Sequence, residues 1–124
     1  MAEQKSNLLI ENRSGITVVN FLDFSVLDRT QIEAIGNELL DLVADGARKK
    51  VLINFEDVDY LSSAMLGKLI ALHKRLALSK GELKLCGIKA SIREVFEITR
   101  LDKVFDIYPD RESAIAAFLG KISQ

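Results

Sequence analysis

The 124-residue sequence holds one cysteine, one histidine and no excess of charge, and each scarcity closes off a class of function. Cys86 alone cannot form an internal disulfide, so the chain suits a reducing compartment, and one thiolate cannot build a metal cluster. His73 alone cannot supply a site that needs several imidazole ligands. Lysine and arginine number 17 against 18 aspartates and glutamates, and the net charge of -1 draws in neither nucleic acid nor an anionic membrane. The short run Arg48-Lys49-Lys50 reads as a solvated loop before a strand. Gly15, Gly36, Gly46, Gly67, Gly81, Gly87 and Gly120 are scattered, matching neither a phosphate-binding loop nor a dinucleotide-binding pattern. No apolar run approaches the roughly 20 residues that span a bilayer, and the polar start MAEQKSN lacks a signal-peptide core. The expectation is a soluble, cytoplasmic, single domain over residues 1–124, with a core from about 8 to 119.

What the sequence does have is a hydrophobic content of 48%, laid out in short periodic segments. A chain this long buries roughly two thirds of the surface that it exposes when unfolded. LLIENRSGITVVNF reads as two strands, Leu8–Glu11 and Ile16–Phe21, around the turn residues Asn12, Arg13, Ser14 and Gly15. Asp28 is a good N-cap, with Gln31 three residues on, for a helix whose apolar stripe is Ile32, Ile35, Leu39 and Leu42/Val43. Gly46 is placed to end that helix. VLINF, Val51–Phe55, is the nearly unbroken apolar run of a central strand covered on both faces.

A second helix is predicted from about Ala64 to Leu78, with Leu66, Leu69, Ile70, His73 and Leu76 on one side and Gly81 as its breaker. ELKLCGI, Glu82–Ile88, is another strand. ASIREVFEITRL supplies a third short helix facing Ile92, Val95, Phe96 and Leu101 inward, and Val104–Tyr108 is a last short strand. Pro109-Asp110 opens a final helix with Ala114, Ile115, Phe118 and Ile122 toward the core. The order β-β-α-β-α-β-α-β-α predicts an α/β domain: a mostly parallel central sheet, an opening β-hairpin and about four helices.

Few side chains are placed for chemistry. A serine triad would need His73 beside Ser62 or Ser63, but ten or more residues of helix set them at least ~15 Å apart at 1.5 Å per residue. Hydrogen-bond reach is about 3 Å, so no hydrolase is expected. Glu56, Asp57 and Asp59 read as a solvated acidic loop, without the companion carboxylates of a magnesium site. Cys86, inside an apolar strand, reads as a small buried hydrophobe.

Ser62 and Ser63 remain, in the stretch VDYLSSAMLGKL. Serine is a favoured N-cap, yet one cap explains one serine and not two. A hydroxyl at a helix start beyond a strand end also faces the crevice where partners approach α/β sheets. A phosphate placed there meets free N–H groups and the positive end of the helix dipole. Cap and modification target both stay open at this point.

The longer stretch VLINFEDVDYLSSAMLGKLIALHKRL resembles the core of STAS domains, specifically the bacterial anti-sigma factor antagonists. The pattern there is an apolar strand, an acidic or polar loop, an aromatic residue, then Asp-Ser-Ser-Gly-Leu-Gly opening a helix. The likeness continues through the opening strands, the helix after FLDFSVLD, GELKLCGI, IREVFEITRLDKVFDIY and ESAIAAF, all in family order. Aligned on Tyr60, Leu66 and Gly67, the family's phosphoacceptor falls on Ser63, with Ser62 as the second candidate. Ser62 stands where the family carries aspartate, Ala64 where it carries a second serine, and Met65 where it carries glycine.

The resemblance implies a protein that works by partner switching, a substrate and binding module and not an enzyme. The unmodified antagonist binds an anti-sigma factor that is also a serine kinase, and so frees the sigma factor. The kinase uses ATP and magnesium to phosphorylate the antagonist, which lets go, and a serine phosphatase resets it. The implied partner surface is Asp59, Tyr60, Ser62, Ser63, Ala64, Met65 and Gly67, with Ser63 serving as helix cap and switch together. No cofactor, nucleic acid or membrane insertion is implied. The alternative, motivated by the departures at Ser62, Ala64 and Met65, is a STAS adaptor or scaffold of a signalling or lipid-transport complex that is never phosphorylated.

Overall fold

A two-residue turn opens the fold. Leu8–Arg13 (β1) and Ile16–Phe21 (β2) pair antiparallel, from Leu8 opposite Phe21 to Arg13 opposite Ile16. Only Ser14 and Gly15 turn, at φ 57° and 85°, the left-handed pair whose twist matches a hairpin. β1 therefore runs two residues beyond the expected Glu11, because the ladder continues as far as the turn allows. The computed structural model describes residues 8–21, 29–44 and 46–120. The expected cap Asp28 and the inward Ile122 lie outside the described residues.

The rest follows the predicted alternation: α1 (Arg29–Leu42), β3 (Lys50–Asn54), α2 (Ser63–Leu78), β4 (Glu82–Cys86), α3 (Ala90–Ile98), β5 (Asp106–Tyr108) and α4 (Arg111–Phe118). The sheet order is β1-β2-β3-β4-β5, antiparallel in the first pair and parallel in the other three. Alternation along the strands divides the core in two. Val51 and Ile53 join Ile35, Leu39, Leu69, Leu72 and Phe96 on the face beneath α1, α2 and α3. Leu52 and Cys86 join Ile16 and Val18 on the opposite face, under Ala114, Ile115 and Phe118 of α4. The apolar run of β3 is thus covered on both sides, as its composition predicts.

Three boundaries in the second half of the sheet differ from expectation. Arg100 adopts a left-handed φ of 64°, which stops α3 and puts Leu101 into a separate 3₁₀ turn, Leu101–Lys103. That turn uses up Val104, so β5 is only three residues long. β4 ends at Cys86 because Gly87 turns away at φ 71°.

Candidate partner-docking site at the start of α2

The site is built on the chain leaving β3. Asn54, buried at the strand end, donates from Nδ2 to Asn20 Oδ1 at 3.0 Å, and its Oδ1 accepts from the Glu56 backbone N–H at 3.1 Å. Gly87 lets this corner close: a Cβ there would meet Asn54 Oδ1 at 3.0 Å and the Glu56 nitrogen at 3.1 Å. Val58 and Leu61 then anchor the loop in the core, leaving Asp59 and Tyr60 between them in solvent, Tyr60 at 67% exposure. Asp59 Oδ1 accepts from Lys89 Nζ, tying the loop to the start of α3. The acidic run thus contributes a backbone turn at Glu56 and an ion pair at Asp59.

At the helix start the two serines separate. Ser62, extended at φ -85° and ψ 164°, is the N-cap, and its Oγ accepts from the Met65 N–H at 3.2 Å. Ser63 is the first helical residue and is exposed. The expectation that Ser63 is both cap and switch is corrected on the first count. Helical dihedrals begin one residue earlier than the predicted Ala64, and a cap must precede them. The first turn of α2 carries no acidic residue.

Among the other residues of the predicted surface, Ala64 and Gly67 are exposed, and a Cβ on Gly67 would meet nothing within 4 Å. Met65 is fully buried in the main core. Its side chain therefore shapes the helix start from beneath and offers a partner no surface to touch. Asp59, Tyr60, Ser62, Ser63, Ala64 and Gly67 are brought to one loop and one helical turn.

Two groups set aside from the sequence occupy structural positions. His73 is half-buried, with its ring edge-on to Phe105 at 5.5 Å between centroids. Cys86 is enclosed, and burial, aided by the charge of Glu56, pushes its thiol up to about 12. A thiol held protonated is a poor nucleophile and metal ligand.

Two lysines escaped the sequence reading. One is Lys89 in the site itself. The other is Lys84, whose ammonium lies buried 3.1 Å from Asp106 Oδ2, and 4.9 and 5.3 Å from the ring centres of Phe118 and Tyr108. Burial alone would lower this lysine, but the hydrogen bond and charge of Asp106 outweigh it and hold it above the usual lysine range. The signal was a lone lysine inside the apolar strand ELKLC, but its partners sit on β5 and α4 and cannot be read locally.

The fold agrees with what the chain is similar to. The sequence profile of the STAS domain matches residues 7–114. A Bordetella bronchiseptica protein provisionally named anti-sigma factor antagonist, BtrV, is 38% identical over 93 residues, which is 75% of this chain and 79% of that one. The solved structure of an anti-sigma-factor antagonist (STAS) domain protein from Planctomyces limnophilus superposes with a TM-score of 0.83 at 26% identity. It covers 92% of this chain and 99% of that one. The Bacillus cell fate determinant SpoIIAA in its phosphorylated form shares the fold, with a TM-score of 0.69 at 21% identity over 90% of this chain and 98% of that one. Among the described residues, no helix is long and apolar enough to cross a membrane.

Proposed function

Because the chain belongs to the STAS domain family, we propose that it is an anti-sigma factor antagonist whose hold on its partner is switched by phosphorylation of Ser63. The observation that carries this reading is the division of labour at the start of α2. Ser62 satisfies the cap, so the exposed Ser63 hydroxyl is not committed to holding the helix.

Unmodified, the loop and first turn of α2 present Asp59, Tyr60, Ser63, Ala64 and Gly67 to an anti-sigma factor that is also a serine kinase. That kinase brings its own ATP and magnesium and transfers the γ-phosphoryl group to the Ser63 oxygen. The chain is substrate and ligand, and supplies no catalytic group. A phosphate at this position carries about two negative charges and sits at the positive end of the helix dipole, so the fold tolerates it. A docked partner does not, since the added charge must be desolvated and meets no matched cation. A serine phosphatase would restore the binding form.

The test is mass spectrometry after incubation with the cognate kinase and ATP. One added phosphate is expected, absent in Ser63→Ala and present in Ser62→Ala. A phosphate that persists in Ser63→Ala would overturn the assignment. Recovery of a transporter ATPase subunit instead of a kinase in a pull-down would favour the adaptor reading.

A further inference from the structure

We propose, resting on the antagonist reading, that Asn54 is the positioning residue of the docking loop. It registers residues 55–61 against the sheet, so that Asp59 and Tyr60 meet the partner at a fixed place. Leu9, Asn20, Asn54 and Cys86 are register partners, one row across β1, β2, β3 and β4. Two residues beyond Leu52 on the same strand, Asn54 turns to the α4 face, where Cys86 lies. It is 8% exposed, and a buried amide must find partners for two N–H groups and a carbonyl oxygen. All of them are met. Nδ2 donates to Asn20 Oδ1 at 3.0 Å and to Glu56 Oε1 at 3.4 Å. Oδ1 accepts from the Glu56 N–H at 3.1 Å and, more weakly, from the Cys86 thiol at 3.7 Å.

The bonds of the row set one another's direction. Asn20 Nδ2 donates to the Leu9 carbonyl at 3.3 Å, which leaves Asn20 Oδ1 for Asn54. That oxygen takes Asn54 Nδ2, and so leaves Asn54 Oδ1 for the loop. There it accepts the Glu56 N–H, the side-chain bond of an Asx turn. The chain bends at once, the Val58 N–H donating to the Phe55 carbonyl at 3.0 Å. Phe55 and Val58 are fully buried, so the turn between them is pinned at both ends, and Asp59 and Tyr60 leave it for solvent. Leucine at position 54 would fill the space and bond nothing. Aspartate would keep the acceptor for Glu56 but set a carboxylate against two other oxygens, Asn20 Oδ1 and Glu56 Oε1. Ser63 is placed separately, by the Ser62 cap and the buried Met65 beneath it. The row therefore governs docking, and the cap governs the acceptor hydroxyl.

The experiment compares phosphorylation kinetics across variants that remain folded at the assay temperature, with the same kinase and ATP as the Ser63 test. Asn54→Leu is expected to raise the KM for the chain at least about tenfold and to leave kcat within about twofold, since docking is displaced and the hydroxyl is not. With no partner present, the Glu56 amide of this variant should exchange with solvent at least about tenfold faster in NMR, having lost its acceptor. Leu52→Ala removes buried bulk on the same strand and face, and should lower stability while leaving KM unchanged. Should Asn54→Leu fail to fold, Asn20→Leu strips Asn54 of its orienting oxygen and should raise KM in the same direction. Asn20→Asp, which keeps an oxygen there, should restore it. An unchanged KM in Asn54→Leu, an equal rise in Leu52→Ala, or native exchange at Glu56 would each overturn the proposal and leave the antagonist reading standing. A native chain that the kinase does not modify would overturn that reading, and this proposal with it.

Discussion

The starts of α2 and α4 are solved by the same device and left in opposite electrostatic states. α4 is capped by Asp110, whose Oδ1 accepts from the Ser113 N–H at 2.8 Å, and Glu112 adds a second carboxylate in its first turn. That end carries its own anion to complement the dipole. α2 is capped by the neutral Ser62, its first turn holds no acid, and Ser63 stands exposed beside the cap. A carboxylate cap closes the account at α4, whereas α2 remains able to gain charge. The contrast teaches that the serine pair is not redundancy: one hydroxyl maintains the helix and the other is spare.

The largest effect that would sharpen this contrast is on binding. Ser63→Glu is expected to weaken the complex with an anti-sigma partner by about 4 kcal/mol, nearly a thousandfold in Kd, as calorimetry would measure. Undiminished affinity would break the comparison at its centre. Next in size, Met65→Ala should cost about 3 kcal/mol of stability in urea denaturation, since a fully buried side chain leaves a cavity beneath the helix start. Ser62→Ala removes only the cap, and a loss of about 1 kcal/mol is expected, with Tm lower by about 4 °C.

The anionic end of α4 makes a pH prediction. The hydrogen bonds from the Ser113 backbone and hydroxyl hold the Asp110 carboxyl below its ordinary value of 3.8. A depressed carboxylate adds stability above its unfolded pKa and loses it as pH falls through the folded value. Melting curves from pH 6 to 2 should therefore fall more steeply at the acid end for the native chain than for Asp110→Asn. Smallest of all, Ser63→Ala should change stability by less than about 0.5 kcal/mol, and a loss equal to that of Ser62→Ala would show that Ser63 also holds the helix.

Most of the fold was legible because its elements declare themselves by period. VLINF is apolar enough for both faces of a sheet, and the three-four spacing of Leu66, Leu69 and Leu76 gives α2 its buried stripe. The family likeness carried by LSSAMLG pointed to the same helix start. What stayed hidden turns on one residue or on distant partners. Ser62 and Ser63 are chemically alike, so only the backbone dihedrals decide which of them caps. Met65 reads as a surface departure when aligned against glycine, but the phase of α2 turns it inward beside Leu66. Asn54, Lys84 and Lys89 find their partners 34, 22 and 30 residues away, through strand neighbours and loops that no local pattern fixes.

The enclosure of Cys86 has a practical consequence. It is the chain's one cysteine, and its thiol is both shielded and protonated. A maleimide dye added to the native protein should pass it by, so Ser63→Cys or Ile10→Cys would give a single labelling position without first removing a native thiol. One fluorophore could then report on the helix start, and another on the sheet edge, in otherwise identical molecules.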